Sequence, residues 1–343
     1  MALLFVDGFD HFDPQALKPD GVPNYGYAKA QYAPQCERVP GRRSVSSALR
    51  FPANTQGVAM VREIGYGVSR IILGCAFRLD LLPPDRFPLL FVRTAGNQRY
   101  EVSVNAIGLL GIGQGGFPSG QSLRAISAQT WNHLELKVVE GNGTGLLELR
   151  VNSQTWLTLS GQSIPTGGNL VAGGVCWADQ PYPVELLFDD FYLADGSGTR
   201  NNDYLGDVRI DALHPTGAGS FSQWTPSGAG QNWEMVDEPL PDHSDYVTAA
   251  NTGDRDSYAF EPLPAMNTPT VLGVQVTALA KKTDAGAGTL KALTQSGATV
   301  ATGAAQALTT DPTYLTTVFE QTAAGVDWAE TELNAAEFGV EKG

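Results

Sequence analysis

Hydrophobic and polar positions alternate along several stretches of the chain. In TWNHLELKVVE, Trp131, His133, Glu135 and Lys137 fall on one face, and Leu134, Leu136 and Val138 on the other. In GLLELRVNSQTW, Leu147, Leu149 and Val151 alternate with Glu148, Arg150 and Asn152. A period of two over six or more residues predicts strands half buried in an antiparallel sheet. Further strand-like runs are GVAMVREI, SRIILGCAFRLDLL, PLLFVRTA, QRYEVSVNAIGLLGIG, NLVAGGVCWA and VELLFDDFYLAD. The breaks between them, EGNGTG, RTAGNQ and SIPTGGN, carry Gly/Asn turn chemistry, and EGNGTG joins two alternating strands as a hairpin. Many short strands with short loops predict a two-sheet sandwich. The aromatic, Pro-interrupted YGYAKAQYAPQ near the N-terminus reads as a loop wrapped over a core.

The pattern changes after LADGSGTRNNDYLGDV, a polar Gly/Asn-rich stretch. This places a domain boundary near residue 205, giving units 1–205 and 206–343. The second unit has an apolar run ending in lysines, VLGVQVTALAKK. It also has a hairpin turning at QSGA within GTLKALTQSGATVATG, and room for one short helix in DWAETELNAAEF. It too reads as a β-sandwich, smaller and rich in Ala and Thr. The expected fold is therefore all-β, and the 39 glycines and 21 prolines, with only 17% charged residues, fit short strands better than long helices.

Charge sharpens the division. Residues 1–205 carry 16 Lys+Arg against 18 Asp+Glu, whereas residues 206–343 carry 6 against 18. A formal net charge of −14 argues against a nucleic-acid partner. The acidic second unit either stays solvated or docks on a basic surface. No apolar run reaches 18 residues, so no membrane insertion is expected. The opening MALLFVDGFD lacks a basic leader and meets Asp7, which reads against a signal peptide and points to assembly in a cytoplasm. Cys36, Cys75 and Cys176 are odd in number and widely spaced, which predicts buried thiols rather than a disulfide framework or a zinc site.

The opening LLFVDGFDHF, the strand TWNHLELKV, the hairpin GLLELRVNSQTW and the closing ELLFDDFYLAD together resemble the concanavalin A-like lectin/glucanase (laminin-G-like) jelly roll, over about 60% of the chain. The resemblance implies that the last strand returns beside the first. Ser153 stands where that family usually has Gly. The family's E-x-D-x-x-E catalytic pattern is missing, so no catalytic residue is carried over. The tail segments YVTAANTGDRDSYAFEPLP, LGVQVTALAKKTDAG and TELNAAEFGVEKG resemble C-terminal halves of tailed-bacteriophage virion proteins. That second resemblance implies a non-enzymatic structural component of a tail, fibre or capsid, located in the virion. Its partners would be other virion proteins, copies of itself in a trimer or ring, and a host-surface glycan. The alternatives are a carbohydrate-binding or receptor-binding lectin module and, behind it, a glycan-degrading enzyme.

Candidate chemistry is sparse. Asp7 near the start, with Asp189 and Asp190 near the end of the first unit, could converge if the first and last strands pair. Three readings are open: acceptors of backbone N–H at strand rims, ligands of a structural Ca²⁺, or a glycosidase pair. No other cofactor is expected. GIGQGGF lacks a following helix and reads as a loop, not a dinucleotide site. PDHSD reads as an exposed loop. Trp131 and Trp156 are expected to seal core edges. Trp224 and Trp233, in the Gly/Ser-rich SFSQWTPSGAGQNWE, are expected as interface anchors, with glycan contact as the alternative.

Overall fold

The computed structural model describes residues 2–11, 36–43, 46–55, 60–176, 181–240 and 244–343. The YGYAKAQYAPQ loop, Asp13, Trp177 and the Pro241–His243 part of PDHSD lie outside these residues. The chain divides into two compact units, Met1–Ile210 and Asp211–Gly343. Among the described residues no helix is long and apolar enough to cross a membrane.

The first unit contains β1 (Leu3–Asp7), β2 (Glu37–Pro40), β3 (Ser47–Phe51), β4 (Met60–Val68), β5 (Arg70–Leu79), β6 (Phe87–Thr94) and β7 (Arg99–Val104). It continues with β8 (Leu109–Gln114), β9 (Phe117–Ala125), β10 (Asn132–Val139), β11 (Gly141–Val151), β12 (Gln154–Ile164), β13 (Leu170–Val175) and β14 (Leu186–Ala194). One sheet runs β12-β11-β10-β5-β14-β3-β2, with β1 also on β14; the other runs β4-β13-β6-β7-β8-β9. The apolar positions of the alternating strands make the layer between them: Leu73, Leu134, Leu136, Leu147 and Leu149 from the first sheet, and Val92, Val102 and Ile112 from the second, are all buried. Each such side chain contributes about 1.5–3 kcal/mol. The sheets approach closely at Gly173, where a Cβ would lie 2.7 Å from Leu193.

Local chemistry sets the turns. Val151 pairs with Gln154, and the two residues between them, Asn152 (φ 50°) and Ser153 (φ 64°), are left-handed, as a two-residue type I′ hairpin requires. GIGQGGF is such a turn too: Gln114 pairs with Phe117 across Gly115 and Gly116, so the stretch read as a loop is a tight hairpin. β14 is buried on both faces. Its first half pairs with β3 and its second half with β1, with an irregularity between Asp189 and Tyr192 where it lies along β5.

The second unit contains β15 (Pro215–Ser222), β16 (Thr225–Pro226), β17 (Val247–Thr248), β18 (Arg255–Phe260), β19 (Val274–Ala280) and β20 (Thr289–Ser296). There follow β21 (Thr299–Thr302), β22 (Gln306–Ala307), β23 (Thr313–Phe319), the short helix α1 (Glu330–Leu333) and β24 (Glu337–Lys342). Its main sheet runs β15-β18-β24-β20-β21, with β22 on β20, and β19 and β23 form a separate ribbon. The two meet around Ala292, Phe319, Trp328, Leu333 and Phe338. The QSGA turn lies between Ser296 and Thr299, with Gly297 at φ 59°.

Candidate functional site

β1 does pair with β14, placing Asp7 opposite Phe191. All three candidate aspartates are buried. Asp7 accepts the Phe9 N–H at 2.7 Å. Asp189 accepts the N–H of Arg42 (3.0 Å) and of Asp190 (2.8 Å) and the hydroxyl of Ser46 (3.2 Å). Asp190, at φ 52°, accepts the Ile210 N–H at 2.8 Å and pairs with Arg42 (2.9 Å) and Arg43 (2.8 Å). Burial and then the charge of Asp190 push Asp189 up to about 7. Burial also raises Asp190, against the pull of Arg43. The acids thus fasten the Gly41–Ser46 turn and the chain at Ile210 to the seam of the sheet, and their oxygens are engaged by N–H and guanidinium donors. Among the described residues no group of three or more His, Cys, Asp or Glu side chains is arranged to hold a metal ion.

The polar face of β10 is covered rather than solvated. His133 is 1% exposed and Glu135 is fully buried. Glu135 Oε1 accepts from the Tyr192 hydroxyl at 2.5 Å and the Gly206 N–H at 2.7 Å. The His133 ring stacks on Tyr192, with centroids 6.4 Å apart, and neither of its nitrogens has a hydrogen-bond partner among the described residues. Burial lowers its pKa to about 4, assisted by Arg42 and Arg43 and opposed by Asp207. Tyr204 lies under the cations of Arg150 (3.8 Å) and Lys137 (4.1 Å), and Leu205 N–H donates to the Tyr192 hydroxyl. The polar segment 203–210 therefore belongs to the first unit, five residues past the expected boundary. With exposures of 0–1%, this layer joins the strands but offers no path to a ligand.

The outer face of the other sheet is largely covered, with Val61, Phe91, Ala172, Glu101 and Ser103 buried, and it opens toward β9. Along β7, Val102 and Val104 point into the core, so Glu101, Ser103 and the residue after the strand, Asn105, take the outer side. Glu101 pairs with Arg86 at 3.3 Å and lies 4.0 Å from Arg99; Glu63 on β4 pairs with Arg93 on β6. Where the β5–β6 loop, the β7–β8 turn and β9 converge is a cavity of about 230 Å³, lined by Asp85, Arg86, Ser103, Asn105 and Gln121 over apolar Leu109 and Pro118. Gly111 is required here, since a Cβ would lie 2.8 Å from Pro118 Cβ. The Arg86 guanidinium fills the space a side chain at Gly116 would need. Its Nη1 is shielded and has no hydrogen-bond partner among the described residues. None of these residues stands out in the sequence. The available signal is the polar alternation of EVSVN followed by the alternate glycines of GLLGIG.

In the second unit, Trp224 is half-buried. Its N–H donates to Asp256 (3.2 Å) and its indole N–H to the Asp254 carbonyl (3.1 Å). Trp233 is half-buried in a 3-10 turn, Asn232–Met235. Trp131 and Trp156 of the first unit are half-buried as well. All three cysteines are buried and free.

No family model and no curated protein matches the chain. Among solved structures, it is similar to an endo-β-1,4-glucuronan lyase from the fungus Trichoderma reesei (12% identity, TM-score 0.40, 50% of this chain and 92% of that one). It is similar to the alginate lyase Aly36B (8%, 0.39, 53% and 95%) and to Trypanosoma rangeli sialidase (17%, 0.35, 47% and 26%). These neighbours correct the expectation of a non-enzymatic virion component: they are glycan-active proteins and include no virion part. At these identities and TM-scores no residue role passes from them to this chain.

Proposed function

We propose that the first unit is a glycan-recognising β-sandwich of the concanavalin A-like kind, with its ligand on the outer face of the β4–β9 sheet. The observation that carries this reading is the cavity at the end of that face. Asp85, Arg86, Asn105 and Gln121 line one small concavity whose wall is otherwise mostly apolar, from Pro84, Ile107, Leu109 and Pro118. Such a set matches a sugar ring, which presents hydroxyls at its edge and C–H groups on its faces.

Applying the full chain to a glycan microarray tests the reading. Retention of a defined set of saccharides is expected, and a blank array across neutral and acidic glycans would reject it. Incubating the retained glycan with the protein and assaying for released fragments then distinguishes turnover from binding.

A further inference from the structure

We infer that the cavity receives a single neutral sugar unit, a chain end or branch, held by Arg86, Asn105 and Gln121. This rests on the glycan-recognition reading and specifies its ligand. Size comes first: about 230 Å³ is below the range of about 300–1,000 Å³ for pockets that enclose drug-sized ligands, so one ring fits and a run of rings does not.

Charge decides the class. Arg86 supplies a cation, but its Nη2 faces Glu101 at 3.3 Å, and Asp85 lines the same cavity with Oδ1 accepting the Arg86 backbone N–H at 2.7 Å. An anionic sugar would gain little from a guanidinium already balanced and would be repelled by Asp85. A neutral hydroxyl pair can use both, donating to the carboxylate and accepting from the guanidinium.

One of the remaining groups, Asn105, is preset. Asn105 Oδ1 is held by the N–H groups of Ile107 and Leu109, both at 3.0 Å, which leaves the Asn105 amide nitrogen as a donor. Gln121 contributes both a donor and an acceptor from β9. A side chain fixed before binding, as Asn105 is, loses little entropy when the site fills.

Calorimetric titration of the full chain tests the proposal. The probes are the methyl glycosides of glucose, galactose and mannose, methyl glucuronide and methyl galacturonide, and cellohexaose. At least one neutral methyl hexoside should bind with a millimolar Kd, at least fivefold tighter than either uronide. Gln121→Ala should weaken it at least fivefold with an unchanged unfolding midpoint, and Asp85→Asn should bring the uronides level with the neutral sugar. Uronides tighter than every neutral hexoside would overturn the inference. So would binding of cellohexaose, or of an array-retained glycan, that neither substitution alters. Both results leave glycan recognition standing, whereas a protein that retains no glycan in titration or on the array loses both claims.

Discussion

The Tyr192 hydroxyl donates to Glu135 Oε1 at 2.5 Å, tying β14 to β10 across the intervening β5. Gly74 makes this possible, because the Tyr192 ring occupies the place of its missing side chain. Glu135 is fully buried, so its carboxylate depends on this donor and on the Gly206 N–H. Tyr192→Phe keeps the ring and removes the donor. It should cost the first unit about 1.5–3 kcal/mol, the range for a hydrogen bond to a charged group. Chemical denaturation followed by near-UV signal checks it; a loss below about 0.5 kcal/mol would mean that Glu135 is held by other means.

His133 and Asp189 give opposite pH dependences. Below its ordinary 6.5, His133 is protonated in the unfolded chain but stays neutral in the fold down to about 4, so its share of stability falls as pH drops through that window. Asp189 titrates near 7 in the fold against 3.8, so its share falls as pH rises from 4 to 7. The two slopes oppose each other between pH 4 and 6.5. In His133→Phe the histidine slope is gone and that of Asp189 remains. Its unfolding midpoint should decline from pH 4 to pH 7, while the parent chain stays flatter. Parallel midpoint–pH curves would contradict this.

Ser153 holds φ 64° in a turn where glycine carries no Cβ penalty. Ser153→Gly should therefore stabilise the first unit by about 0.5–1 kcal/mol, part of the left-handed strain being offset by a freer unfolded chain. A higher thermal midpoint is the expected reading.

In the second unit Asp256 is fully buried and accepts from Trp224 N–H, Asn232 Nδ2 (2.7 Å) and the Tyr258 hydroxyl (2.9 Å). Asp256→Ala removes the acceptor of three donors, of which Asn232 Nδ2 keeps the Trp224 carbonyl at 2.8 Å. It should lower the unfolding transition of this unit by about 2–4 kcal/mol, as multiple lost bonds to a charged acceptor imply. The same change should shift tryptophan emission to the red as Trp224 loosens.

The strand pattern is the legible part of this protein. The faces of β10 and β11, the 296–299 turn and the short helix at 330–333 follow from alternation, Gly placement and helix-forming residues. The fate of the polar face of β10 does not. His133 and Glu135 read like solvent-facing residues, and the segment that buries them, 203–210, is polar and without period, so it reads as a linker. Asp189 and Asp190 draw attention as a pair, but only their distant partners Arg42, Arg43 and Ile210 show what they do. The cavity is hidden for a similar reason. Its lining comes from residues near 85, 103–111 and 118–121, and each piece alone resembles ordinary surface.

The most direct measurement of the central claim is the affinity of the full chain for its array-selected glycan, compared with that of the Arg86→Ala/Gln121→Ala double variant. An at least tenfold weaker Kd is predicted for the folded variant, since both side chains line the cavity, with some fall in the unfolding midpoint because buried Glu101 loses its Arg86 partner. Equal affinity in the two proteins would place recognition elsewhere and contradict the account.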